Sequence, residues 1–264
     1  MQDTPRIDSI DRASPPSVLI QILKEARDLR ASGQRMLAVF DLDSTLFDLT
    51  LRISMILDSF AKIPEMLERF REEIKIMEAA QVLPTDWGIQ ESLDRVGLTR
   101  EKFAAFSEAL HQHWARYFFS DSHLSHDVPL PGAVRFVLML RGFGAEVMYL
   151  TAREEAPMLE GTKASLLQHG FPLSETNSRL VLKPNRELDD AQFKVDVLKV
   201  ELANYDRIWF FENEPVNLNL TAKQLPEIGL VFLDTTHSRR EEVHQSLARI
   251  PHFDVEVSDL LSLG

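Results

Sequence analysis

The chain has 264 residues, 44% hydrophobic and 27% charged, an ordinary globular composition long enough for one or two domains with a sizeable core. Its net charge of −12 opposes unguided binding to nucleic acid or to an anionic membrane, so neither is expected as a partner. Cysteine is absent, which excludes disulfide frameworks, thiolate metal centres and cysteine nucleophiles.

Residues 1–16 read as an N-terminal tail with acids and prolines and no apolar run of the signal-peptide kind. The most apolar later stretch, Phe136 to Leu150, is broken by Arg141 and Glu146, short of the roughly 20 residues that span a bilayer. The expectation is a cytoplasmic protein. Leu19, Ile22, Leu23, Ala26 and Leu29 recur at helical spacing before Gly33, and Met36 to Phe40 then forms an apolar run ending in Asp41-Leu42-Asp43-Ser44-Thr45. Such a run predicts a strand buried on both faces of a parallel sheet, with its polar end available for chemistry.

Residues 49–127 depart from this pattern. Leu67, Phe70, Ile74 and Met77 recur at spacings of three and four, as do Phe103, Phe106, Leu110 and Trp114, so the interval predicts a helical insertion standing over the strand end. Beyond Pro131-Gly132 the alternation resumes. Strands are expected at Ala145 to Leu150, more weakly at Arg179 to Leu182, then at Arg207 to Phe211 and Ile228 to Leu233. Helices are expected over Ala133 to Leu140, Met158 to His169 and Phe193 to Leu202. The fold class that follows is α/β, a doubly wound, Rossmann-like, mostly parallel sheet with an inserted helical cap. The core takes 17–48 and 128–264 and the cap 49–127.

Asp41 and Asp43 are two apart, so in an extended chain both carboxylates face one space. Two such acids repel unless a cation or a shared proton compensates, and magnesium suits a site of one or two carboxylates, waters and phosphate. The other strand ends supply a hydroxyl at Thr151, a charge at Lys194 where a helix is expected to begin, and oxygens at Glu212, Asn213 and Glu214. Lys183 and Lys199 are alternatives to Lys194. His111, His113, His123 and His126 do not read as a metal centre, because residues two apart on a helix point about 200° from each other.

In this set the chain resembles the haloacid dehalogenase superfamily of phosphohydrolases. The resemblance rests on Asp41-Leu42-Asp43-Ser44-Thr45, Tyr149-Leu150-Thr151-Ala152-Arg153, Lys194 and Phe211-Glu212-Asn213-Glu214, and on the position of the insertion, which matches a helical cap. It implies a magnesium-dependent phosphatase acting on a small phosphorylated substrate. Asp41 is then the nucleophile and Asp43 the general acid and base. Thr151, Ala152 and Lys194 hold the phosphate, and Asp41, Asp43 and Asn213 or Glu212 hold the metal. The second acid is kept by phosphatases and phosphomutases of the family and is generally lacking in its dehalogenases. Asn213 stands where the family usually has aspartate. A phosphomutase, or a non-catalytic phosphate-binding protein, are the alternatives.

Overall fold

A computed structural model describes residues 15–174 and 176–255. The expected tail lies outside the described residues as far as residue 14, and Pro15 and Pro16 open a helix instead. That helix, α1 (Pro15–Ala31), leads into β1 (Met36–Phe40), all five residues of which are buried. Met36, Ala38 and Phe40 join one apolar cluster and Leu37 and Val39 another, so β1 is covered on both faces as its unbroken apolar run requires.

After β1 come β2 (Phe47–Asp48) and the helices α2 (Thr50–Ala61), α3 (Pro64–Arg69), α4 (Arg71–Met77), α5 (Ile89–Arg95) and α6 (Ala104–Phe118). A 3-10 turn at Asp121–His126 then reaches β3 (Val128–Pro129), which pairs antiparallel with β2, Phe47 opposite Pro129. This two-stranded clasp closes the base of the insertion. The helix read through Leu67 to Met77 is broken at Phe70, which leaves helical geometry with φ −126° and ψ 37°. Phe70 instead turns its ring into an insertion core with Ile53, Phe60, Ile74, Phe106 and Leu110, separate from the two clusters that cover the sheet.

The chain returns through α7 (Ala133–Gly142), β4 (Glu146–Glu154), α8 (Glu155–Gln168), β5 (Ser178–Lys183), α9 (Asp190–Glu201), β6 (Arg207–Glu212), α10 (Pro215–Gln224), β7 (Gly229–Leu233) and β8 (Ala248–Ile250). The six-stranded sheet runs β5-β4-β1-β6-β7-β8 with every neighbouring pair parallel. The α/β doubly wound architecture is therefore present, with α1 and α7 on one face of the sheet and α9 and α10 on the other. β1 lies between β4 and β6, so strand order reverses there and the crevice opens at their carboxyl ends. Phe40 and Phe211 stack across β1 and β6 with centroids 4.5 Å apart, and burying each ring stabilises the fold by about 1.5–3 kcal/mol. No helix among the described residues is long and apolar enough to cross a membrane.

Gly132 begins α7 with φ 75°, and a Cβ there would lie 2.4 Å from the backbone of Phe253, whose N–H donates to the Pro131 carbonyl. Gly132→Ala is expected to lower stability by about 1–3 kcal/mol from the left-handed backbone alone, with the overlap adding to it. A shift of the urea midpoint measures the effect.

Candidate active site

Asp41 follows β1 directly, its N–H donating to the Phe211 carbonyl at 3.0 Å, so it continues the parallel register beside β6. A tight turn then reverses the chain. Ser44 takes a left-handed φ of 59°, its N–H bonds the Phe47 carbonyl at 2.8 Å, and the Thr235 hydroxyl donates to its carbonyl at 2.5 Å. These bonds offset the cost of the strained residue and fix both aspartates at the mouth of the crevice.

The two acids have different partners. Asp41 is buried, and its Oδ1 accepts from Lys194 Nζ at 2.6 Å, while the same ammonium donates to Glu212 Oε2 at 2.6 Å. Two buried carboxylates thus share one positive charge. Burial, followed by the charge of Glu212, pushes the Asp41 carboxyl up to about 7 in spite of Lys194. Asp43, by contrast, accepts from Arg153 at 2.6 and 3.2 Å and from Arg52 at 3.0 Å. Burial works to raise it, and the two guanidiniums overcome that and hold it well below the usual carboxylate range. Each aspartate therefore has cationic side chains of its own, Lys194 for Asp41 and Arg153 with Arg52 for Asp43.

Arg52 and Arg153 also clasp Asp127, Arg153 at 2.6 Å and Arg52 at 3.2 Å, and the side chains of all three are at most 1% exposed. Arg52 sits in α2 and Asp127 just before β3, so this buried cluster ties both ends of the insertion to β4 and to Asp43. Nothing local in the sequence marks these roles for Arg153, Arg52 and Asp127.

The other expected residues meet at the same crevice, which with the insertion above it encloses about 810 Å³. Thr151 and Ala152 line it, but β4 does not end at Leu150: it runs on to Glu154, with an irregular register between Thr151 and Glu154. Lys194 is in the second turn of α9, not at its start, because Asp189 caps the helix by accepting from the Gln192 N–H at 2.9 Å. Lys183 pairs with Asp190 at 2.5 Å, and Lys199 is exposed, so Lys194 is the lysine that reaches Asp41.

Glu212 and Asn213 separate clearly. Glu212 accepts from the backbone N–H groups of Asn213 and Glu214 at 2.9 and 3.0 Å, from Lys194 and from Asn217 Nδ2 at 2.9 Å. These four donors fill a carboxylate's acceptor sites, which leaves no lone pair for a metal. Glu214 is engaged by Ser238 N–H and hydroxyl at 2.9 and 2.7 Å. Asn213 donates from Nδ2 to the Thr236 carbonyl at 2.6 Å and turns Oδ1 toward the Thr45 hydroxyl at 3.0 Å, on the side of the Asp41 turn. Asp41, Asp43 and Asn213, a set of residues with oxygen donors, all line the crevice. Among the described residues no three or more His, Asp or Glu side chains form a metal-holding group. This set fits a hard cation that takes its remaining ligands from water and phosphate, and the unbalanced negative charge at Asp41 and Glu212 favours such a cation.

The four histidines lie apart in role. His113 shares a hydrogen bond with the Ser59 hydroxyl at 2.8 Å, His123 and His126 have ring centroids 6.0 Å apart, and His111 lines the cavity.

Fold and site together define an α/β protein with an acidic, lysine-braced crevice at a switch point of its sheet and a helical insertion above it. No protein-family model matches the chain. It is 30% identical over 127 residues to a protein of Oceanobacillus iheyensis named "putative nucleotidase", a match covering 47% of this chain and 57% of that relative. Among solved structures, a "putative haloacid dehalogenase-like hydrolase" of Burkholderia xenovorans is similar with a TM-score of 0.49 and 14% identity, over 87% of this chain and 96% of that one. A beta-phosphoglucomutase of a Pyrococcus strain is similar with a TM-score of 0.43 and 13% identity, over 86% and 98%.

Proposed function

We propose that the chain is a magnesium-dependent phosphomonoester hydrolase of the haloacid dehalogenase superfamily, acting through an aspartyl-phosphate on Asp41. The reading takes 17–48 and 128–264 as the phosphohydrolase core and 49–127 as its cap. The observation that carries it is the buried Asp41–Lys194–Glu212 bridge at the end of β1, with Asp43 two residues on. The name of the Oceanobacillus relative belongs to the same class of phosphomonoesterases and agrees with it.

Asp41 Oδ1 is held by Lys194, and no hydrogen bond to Oδ2 is found among the described residues, which leaves that oxygen to attack phosphorus in line. The new Oδ2–P bond forms as the bond from phosphorus to the leaving oxygen breaks, and water later hydrolyses the aspartyl-phosphate. Lys194 holds a phosphoryl oxygen, together with the Thr151 hydroxyl and the Ala152 N–H. Asp41, the Asp43 carbonyl and Asn213, rather than Glu212, would hold magnesium, which would supply neutralisation of charge on the phosphoryl oxygens. Asp43 carries its charge beside Arg52 and Arg153, the form that accepts a proton from the attacking water. To protonate the leaving oxygen, Asp43 must first take up a proton from solvent against the pull of both Arg153 and Arg52.

Excess chelator is expected to abolish release of inorganic phosphate from p-nitrophenyl phosphate, and magnesium to restore it better than calcium, whose looser geometry spoils an in-line attack. Full activity in chelator overturns the metal-dependent mechanism. Phosphate binding without release favours the non-catalytic alternative, to which the uncharged Asn213 gives some weight.

A further inference from the structure

Along α6, His111, Trp114 and Phe118 are spaced so that their rings stack in sequence. His111 lies on Trp114 with centroids 5.5 Å apart, and Trp114 on Phe118 at 4.7 Å, each pair 29° from parallel. All three line the cavity that holds Asp41 and Asp43. The stack continues toward the acids, for the Arg52 guanidinium sits 4.3 Å from the Phe118 ring centroid while donating to Asp43 at 3.0 Å. An unbroken line of planar groups therefore runs from Asp43 outward along the insertion.

Two further observations bear on this wall. Ser107, one turn before His111, also lines the cavity, and its buried hydroxyl has no hydrogen-bond partner, nor has the buried Trp114 Nε1. Leaving such a group unpaired is costly. Large apolar side chains left exposed also gather at the cavity, with Leu83, Trp87 and Phe119 contributed by the insertion and Leu188 by the core. Exposed apolar groups scattered singly need no explanation, but four on the rim of one cavity do.

The geometry points to a substrate class: a phosphate monoester whose alcohol part carries a flat aromatic or heteroaromatic ring, packed against the His111–Trp114–Phe118 wall while its phosphate sits at Asp41. The inference rests on the proposed phosphatase reading and adds to it what the cavity selects. Rings favour offset or edge-to-face packing against other rings. A small sugar phosphate brings no flat ring to this wall.

The test uses pairs with matched leaving oxygens: adenosine 5′-monophosphate against ribose 5-phosphate, and 2-(1-naphthyl)ethyl phosphate against butyl phosphate. The expected result is a kcat/KM about 10- to 100-fold higher for the ring-bearing member, carried mainly by KM, as stacking one ring on an aromatic platform gives. His111→Ala, at an exposed position, and Trp114→Ala are expected to shrink that ratio. A preference in the first pair alone identifies a heteroaromatic, nucleotide-like substrate, and in the second alone an arylalkyl one. Ratios near one in both pairs overturn the inference and leave the phosphatase reading intact. If no monoester, p-nitrophenyl phosphate included, releases phosphate, the phosphatase reading fails, and binding to the Asp41→Asn protein decides the inference. Two of the three tryptophans, Trp87 and Trp114, line the cavity. Quenching of their fluorescence by a ring-bearing member alone then supports the aromatic site, and equal or absent quenching overturns it.

Discussion

Asp41→Asn is expected to reduce phosphate release to background, a loss of at least about 1,000-fold, while making the protein more stable at pH 8. The first effect follows because an amide cannot serve as the attacking carboxylate. The second follows from charge: Asp41 and Glu212 are both buried and share the one ammonium of Lys194, so removing a carboxylate leaves Lys194 and Glu212 as a matched pair. The sign is set by linkage. The Asp41 carboxyl is raised from 3.8 to about 7 in the fold, so between those values the native state holds a proton that the unfolded chain has lost. Its contribution to stability is present at low pH, declines as pH rises through that window, and is gone above the folded value. Urea midpoints in chelator are therefore expected to fall less with pH for the variant than for the parent. The gap at pH 8 is on the order of 4 kcal/mol at most, and it closes near pH 4. A variant less stable than its parent at pH 8 contradicts the picture of a carboxylate held at a cost.

The strand ends that carry the site were legible because each strand has an unmistakable local signal. Met36 to Phe40 has no polar residue, so only burial on both faces explains it, and Asp41 had to follow at its end. Thr151 and Lys194 were reached by the same logic, although β4 runs past Thr151 and Asp189 starts α9 before Phe193. β2, β3 and β8 are two or three residues long and leave no period to read. α10 was missed for a different reason: its buried side includes Asn217 and Thr221, so its hydrophobic pattern is weak. The fate of Glu212 was likewise illegible, since its acceptor sites are filled partly by the backbone N–H groups of the next two residues. Arg52 and Asp127 carried no local signal at all. A charged residue in a helical insertion reads as a solvated face until folding brings its partner, here 75 positions away, into contact.

Arg153→Met is expected to destabilise the fold by about 3–5 kcal/mol, the cost of breaking a buried ionic cluster by removing one member. Arg153 donates to Asp43, to Asp127 and to the Thr162 hydroxyl at 3.2 Å, so no single contact accounts for its position. Asp43 and Asp127 balance Arg52 and Arg153. Without Arg153 a surplus negative charge is left where the Arg52 and Asp127 side chains have no solvent exposure. Adding Asp127→Asn restores the balance with Asp43 and Arg52 alone, so the double variant should recover part of the loss. The two substitutions are then non-additive by about 0.5–3 kcal/mol, the range for residues in one network, as a double-mutant cycle of urea midpoints measures. Additive losses would mean that Arg153 stabilises the fold through Asp43 and Thr162 and not through Asp127. Because Arg52 and Asp127 stand at the two ends of the insertion, a large coupling also means that the base of the insertion is locked by charge as well as by the β2–β3 clasp. The insertion's hold on Asp43 and the stability of its own attachment then depend on the same four side chains.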